Sequence, residues 1–187
     1  LMIKMQFQIG VARRICETIG TLNMPSVSEK LGQMAAPAAM VEGLVYGMES
    51  GGGYYNGYYV PDRNLMYTAQ VLTQQLYPEF ITSMREIAGG GLIMLPSSVK
   101  DFENPEIARY IHATQNSAVG TSEEKVKFMK LAWDAIGSEF ASRHTQYEMF
   151  YAGAQFVTRG HALRTYDWNR SKVLVDDILN SYNLEDM

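Results

Sequence analysis

An all-α fold, a four-helix bundle with long glycine-rich connections, is what this sequence predicts, and three observations carry it. Apolar residues return every three or four positions through four long stretches, the spacing of helices with one buried face. The densest glycine and proline clusters fall between those stretches, around positions 20–25, 51–61 and 89–96, where they punctuate the chain. Hydrophobic residues make up 47% of the 187 residues and charged residues 19%, a balance that suits one packed core.

In chain order, residues 1–20 carry Met2, Met5, Phe7, Ile9, Ala12, Ile15, Cys16 and Ile19, apolar over much of the surface as in a buried helix. The segment 20–25 breaks it, and Ser26 or Ser28 is placed to cap a second helix. There Val27, Leu31, Met34, Ala38, Val41, Val45 and Met48 alternate spacings of four and three, a bundle seam, with a kink or loosened turn expected at Pro37. Residues 50–61 read as a loop with four tyrosines in six positions. Two readings of it stand open, a wall of a ligand pocket and a surface packed over the bundle or against a neighbouring subunit.

Asp62 caps a third helix whose buried side is expected to hold Met66, Ala69, Leu72, Leu76, Phe80 and Ile87, kinked at Pro78. It ends at Ala88, where Gly89, Gly90 and Gly91 supply a C-cap and tight turn. Residues 92–95 are expected to be an extended buried segment. Asn104 and Pro105 open a short helix to about His112, and 115–120 is a linker. Thr121 and Glu124 have capping-box spacing and start one helix predicted to run to about Gly153, roughly 45 Å long at 1.5 Å per residue. Its stripe is Val126, Met129, Trp133, Ile136, Phe140, Tyr147 and Tyr151. An irregular stretch with Arg159, His161, Arg164, Tyr166 and Trp168 follows. A last helix, from about Asn169 to Tyr182, is expected to bury Val173, Leu174, Ile178 and Leu179.

Composition narrows the function classes. A net charge of -4 without a basic cluster leaves no electrostatic footprint for nucleic acid. One cysteine, Cys16, rules out an internal disulfide or a cysteine-built metal site and reads as a buried apolar residue. No apolar run has the length of a membrane helix, and the N-terminus does not follow the signal-peptide pattern, so a cytoplasmic protein with no membrane partner is expected. The chain begins inside a helical pattern at Leu1, as a piece of a longer protein would.

Motifs for nucleophilic catalysis, phosphate loops and zinc pairs are missing, and His112, His144 and His161 fall on separate elements, so no metal site is expected. His144 and Glu148, like Glu139 and Arg143, are four apart and read as surface helix pairs. Gly137 inside a helix costs about 1 kcal/mol against alanine. Either close approach of a backbone or ligand, or tight helix packing, would explain it.

Three segments, GGGLIMLPSSVKDFENPEIARYI (89–111), KLAWDAIGSEFASRHTQYEMFYAG (130–153) and YYVPDR (58–63), resemble the C-terminal domain of the 4-hydroxyphenylacetate 3-monooxygenase family. That family comprises oxygenase components of two-component, reduced-flavin-dependent aromatic hydroxylases, with chlorophenol monooxygenases and a pyoverdine-chromophore hydroxylase among its relatives. The resemblance implies that residues 1–187 form the C-terminal helical bundle of an acyl-CoA-dehydrogenase-like architecture, without its N-terminal helical and central β domains. It implies a homotetramer that takes reduced FAD (FADH2) from a separate NAD(P)H:flavin reductase and hydroxylates a small phenolic substrate with O2. The family's substrate-gripping residues lie upstream, so no catalytic residue is assigned here. What carries over is a flavin contact at Gly137, Ser138, Glu139 and Phe140, with Arg143 one turn on and placed for the pyrophosphate. This favours ligand approach at Gly137. By analogy of fold alone, Gly89, Gly90 and Gly91 stand where a glycine loop meets the dinucleotide in acyl-CoA dehydrogenases. Two alternatives remain, a 4-hydroxybutyryl-CoA dehydratase-like flavoenzyme, which the 133–144 segment disfavours, and a module serving assembly only.

Overall fold

Most of the helices start or stop on a residue whose backbone or side-chain chemistry specifies the end. The structure is a computed structural model in which residues 1–183 are described, and among these lie eight α-helices and one two-stranded hairpin. Helix α1 (Met2–Ile19) stops at Gly20, whose φ of 87° is open to glycine at little cost. Helix α2 (Pro25–Ser50) begins on Pro25 at its first turn, with no side-chain cap; Ser28 instead donates its hydroxyl to the Leu22 carbonyl. Helix α3 (Arg63–Ala88) is capped by Asp62, which accepts from the Leu65 amide at 2.7 Å. Both α2 and α3 continue as helices through their internal prolines, Pro37 and Pro78. Helix α4 (Pro105–Thr114) has Asn104 as its cap, and α5 (Ser122–Ile136) opens on the Thr121–Glu124 capping box expected from the sequence. Helices α6 (Glu139–Phe150), α7 (Gln155–Thr165) and α8 (Trp168–Ser181) follow.

α3 is the central rod. It packs against α1, α2, α5, α6 and α7, and its fully buried residues Tyr77, Phe80, Ile81 and Met84 meet Met5, Ile15, Met34, Val41, Met129 and Ile136 from its neighbours. Methionine supplies four of these core residues, and its unbranched, flexible thioether fills irregular gaps between packed helices. Polar ties lock α7 onto α3: Gln74 donates to the Gly153 carbonyl at 2.8 Å, and the buried Thr158 hydroxyl donates to the Gln74 carbonyl oxygen at 2.8 Å.

The all-α expectation holds, with several local corrections. The predicted continuous helix over 121–153 is two helices, because Ser138 acts as an N-cap and accepts from the Ala141 amide at 3.2 Å. The carbonyl of Trp133 takes both the Gly137 and Ser138 amides, which closes α5. Residues 50–61 are not simply a loop. Gly53–Tyr55 (β1) and Tyr58–Val60 (β2) pair antiparallel across Asn56 and Gly57, both at positive φ, as a two-residue hairpin turn requires. The 92–95 segment is not extended; a 3₁₀ turn over Gly89–Leu92 buries Leu92 and leaves Ile93 and Met94 exposed. The stretch around His161 is the regular helix α7. α8 buries none of its residues, so Val173, Leu174, Ile178 and Leu179 all face outward, and Trp133, Phe140, Tyr147 and Tyr151 of the predicted stripe are exposed as well. On α3 only Phe80 of the six predicted residues is buried, since the buried face runs through positions 73, 74, 77, 80, 81, 84 and 88 and is rotated from the predicted stripe.

Candidate functional site

The glycine turn that ends α3 packs against α5, where Gly91 faces Met129, and an arginine of α3 reaches the end of α5. Arg85, one turn before Gly89, donates its Nε hydrogen to the carbonyl of Ile136 at 2.9 Å, and Ile136 is the residue before Gly137. Four helical residues cover about 6 Å, so the glycine turn and the α5–α6 junction are held at one end of the same rod. Of the three glycines, Gly89 alone has positive φ, 56°, the conformation that ends α3; Gly90 and Gly91 belong to the 3₁₀ turn that follows.

Gly137 is the C-cap of α5 and not a notch in a helix interior. What approaches it is an aromatic ring, since a Cβ added there would fall inside the indole of Trp133. Ser138 caps α6 and donates its own hydroxyl to Asp134 O at 3.0 Å. Glu139 lies in the first turn, where its carboxylate complements the positive end of the helix. Phe140 is 65% exposed, and Arg143, also exposed, follows one turn later. Phe140, Arg143, His144 and Tyr147 line an open cleft of about 320 Å³ along one face of α6. The arrangement offers flat apolar rings beside a guanidinium and the amide-rich start of a helix. It suits a planar, partly anionic ligand.

Behind this cleft lies a charge cluster that sequence reasoning missed. Lys4 of α1 pairs with Glu148 and lies 3.0 Å from His144 Nδ1, with its ammonium 5.5 Å over the Tyr77 ring. Glu148 is 3% exposed, so the pair at His144 and Glu148 is not a surface pair. A carboxylate so enclosed needs a countercharge, and α1 supplies it from 144 residues away. No spacing rule within α6 could have indicated Lys4. Burial pushes the Tyr77 phenol above its ordinary range, and partial enclosure of the half-exposed Tyr151 ring acts the same way on its phenol, with Glu148 adding to both.

A second, polar cleft of about 500 Å³ lies between the start of α3 and α7, where Tyr67 stacks on His161 at 4.7 Å and Arg164 reaches His161 Nδ1 at 2.9 Å. Among the described residues no helix is long and apolar enough to cross a membrane.

Comparison with known proteins adds the following. A family model described as 4-hydroxyphenylacetate 3-hydroxylase C terminal matches residues 1–180. The chain is 33% identical over 166 residues to the 4-hydroxyphenylacetate 3-monooxygenase oxygenase component of Pseudomonas aeruginosa, covering 88% of this chain and 32% of that protein. It is 32% identical over 189 residues to the protein of the same description from Escherichia coli, covering 98% and 36%. It therefore spans about a third of the length of these curated relatives. Among solved structures, the oxygenase component (HpaB) of 4-hydroxyphenylacetate 3-monooxygenase complexed with FAD and 4-hydroxyphenylacetate superposes with a TM-score of 0.89 at 27% identity, covering 96% of this chain and 37% of that one. An archaeal 4-hydroxybutyryl-CoA dehydratase from N. maritimus superposes at 0.84 with 20% identity, covering 96% and 36%, a likeness of fold alone.

Proposed function

Because the chain belongs to the 4-hydroxyphenylacetate 3-hydroxylase C-terminal family, we propose that it is the helical-bundle part of a two-component, FAD-dependent aromatic monooxygenase and that the start of α6 meets the flavin. The observation that carries this reading is the conjunction, within the first two turns of α6, of a capped helix start at Ser138 with the exposed Phe140 ring and the Arg143 guanidinium. Those residues fit a dinucleotide by the chemistry of their donors. Amides at a helix start and a guanidinium suit a pyrophosphate, and exposed rings suit a flat heterocycle.

Gly137 and Ser138 set the angle at which α6 leaves α5. Glu139 and Phe140 border the contact, Arg143 neutralises phosphate charge, and Gly89, Gly90 and Gly91 form a second, outer edge tied to the first through Arg85. Reduced FAD, when bound, supplies the electrons and the oxygen activation with which a small phenol is hydroxylated. The chain's own share is to bind and orient the dinucleotide and to keep water from the pocket wall. A separate NAD(P)H:flavin reductase delivers the reduced cofactor in the cytoplasm. The N-terminal helical and central β parts of the oxygenase grip the phenol. The outward apolar faces of α8 and the tyrosine hairpin support assembly as a homotetramer.

An anaerobic titration with reduced FAD, followed by fluorescence, tests the reading. Saturable binding that Arg143→Ala weakens about tenfold is expected. Binding that is indifferent to Arg143→Ala and to Ser138→Ala would leave the bundle an assembly module.

A further inference from the structure

His144 stands between two very different surroundings. Its Nδ1 lies 3.0 Å from the ammonium of Lys4, and its ring forms one wall of the cleft with Phe140, Arg143 and Tyr147. An ammonium carries three donors and no acceptor, so at this contact Nδ1 must be the acceptor. The ring proton then resides on Nε2, the nitrogen that Lys4 does not engage. Lys4 is itself held in place. It pairs with the buried Glu148 carboxylate, and its ammonium sits 5.5 Å and 5.7 Å over the rings of Tyr77 and Tyr147. Glu148 is one turn along α6 from His144, and the Phe140 ring meets the imidazole at 4.2 Å between centroids. Every neighbour thus constrains either the ring's orientation or its tautomer.

We propose that the Lys4–Glu148 pair is a positioning device that fixes His144 as an Nε2–H donor in the α6 cleft, where it binds a ligand oxygen of carbonyl or phosphate type. The inference rests on the flavin reading of this face and deepens it, since a flavin offers ring carbonyls and a pyrophosphate as acceptors. Selection of one tautomer matters because the other would present a lone pair to those oxygens and repel them. The partner that fixes it comes from α1, so the tautomer is locked, rather than left to its own equilibrium, when α1 is docked against α6.

The tautomer is readable without any flavin. Histidine labelled with nitrogen-15 gives three imidazoles to assign, His112, His144 and His161. His144 is expected to show the Nε2–H pattern in the wild-type protein and a mixture of tautomers in Lys4→Met, with Lys4→Arg, which keeps charge and donors, restoring the pattern. In titrations with reduced FAD, His144→Gln places its amide nitrogen near the Nε2 position and should stay within about threefold of wild type, whereas His144→Asn should bind about tenfold more weakly. An unchanged tautomer in a folded Lys4→Met protein, or equal affinity of the Gln and Asn variants, overturns the inference. If Arg143→Ala weakens FAD while the Gln and Asn variants do not separate, this inference alone falls. If Arg143→Ala is also without effect, the flavin reading of the face falls with it.

Discussion

Arg85 and Ile136 are 51 residues apart, yet the guanidinium Nε of one donates to the main-chain carbonyl of the other at 2.9 Å. The carbonyl is among the last of α5, where the helix leaves acceptors unsatisfied and its dipole is negative. A cation one turn from the end of α3 therefore does two things. It helps close α5, and it ties the last turn of α3 to the junction that starts α6.

Removal of that donor should cost stability and geometry together. Arg85→Met is expected to lower the unfolding free energy by about 1.5–3 kcal/mol, the range for a hydrogen bond involving a charged group. Urea denaturation measures it, and a loss no larger than that of a surface control such as Arg109→Met would show that the contact contributes nothing.

Gly137→Ala should destabilise by about 1–3 kcal/mol, the scale of overpacking, because its Cβ falls inside the Trp133 indole. Trp133→Ala in the same chain removes the obstacle. The double variant should then be less damaged than the sum of the two single ones, and strict additivity in the cycle would argue against the contact.

Ser138→Ala deletes the cap of α6 and should cost about 1 kcal/mol, with Ser138→Asp retaining most of it. Circular dichroism melts of the three proteins rank them. An unchanged melting temperature in the alanine variant would mean that α5 and α6 simply fuse into the continuous helix the periodicity suggests.

Stability should fall on the alkaline side. Burial raises the Tyr77 phenol above its ordinary value of about 10. Below that value the folded and unfolded chains both hold the proton, and the contribution is fully present. As pH rises past it, the unfolded chain ionises first, and the contribution is lost by the time the folded phenol titrates. Denaturation midpoints measured from pH 8 to 11 should decline, and Tyr77→Phe should flatten that limb. Tyr151, raised by burial while the Thr73 hydroxyl opposes it, acts in the same direction.

Thr158→Val leaves the Gln74 carbonyl oxygen without its buried partner and should cost about 1–3 kcal/mol. Hydrogen exchange localises the effect, with faster exchange expected in α7 than in α1. Uniform acceleration would mean that α7 is not held through this bond.

By itself the sequence determined the all-α class, the start of α3 at Asp62, the stop at Gly89, the Asn104–Pro105 start of α4 and the Thr121–Glu124 cap of α5. These depend on neighbours within four residues along the chain, so local backbone chemistry suffices to specify them. Gly137, Ser138 and the residues after them were visible as an interruption, but whether it was a notch or a break depended on whether Ser138 turned its hydroxyl to the Ala141 amide. The hairpin was hidden because three-residue strands carry too few alternations to read, and the Asn56–Gly57 pair alone pointed to it. Only the tertiary structure decided which apolar stripes were covered. Periodicity reports that a helix has an apolar face, while burial depends on what packs there. α8 and the outer part of α6 carry such faces turned outward. The cluster of Lys4, His144 and Glu148 belongs to the same class of fact. A lysine at position 4 and a glutamate at position 148 are ordinary helix residues in sequence, and the docking of α1 against α6 makes them an ion pair whose carboxylate is buried.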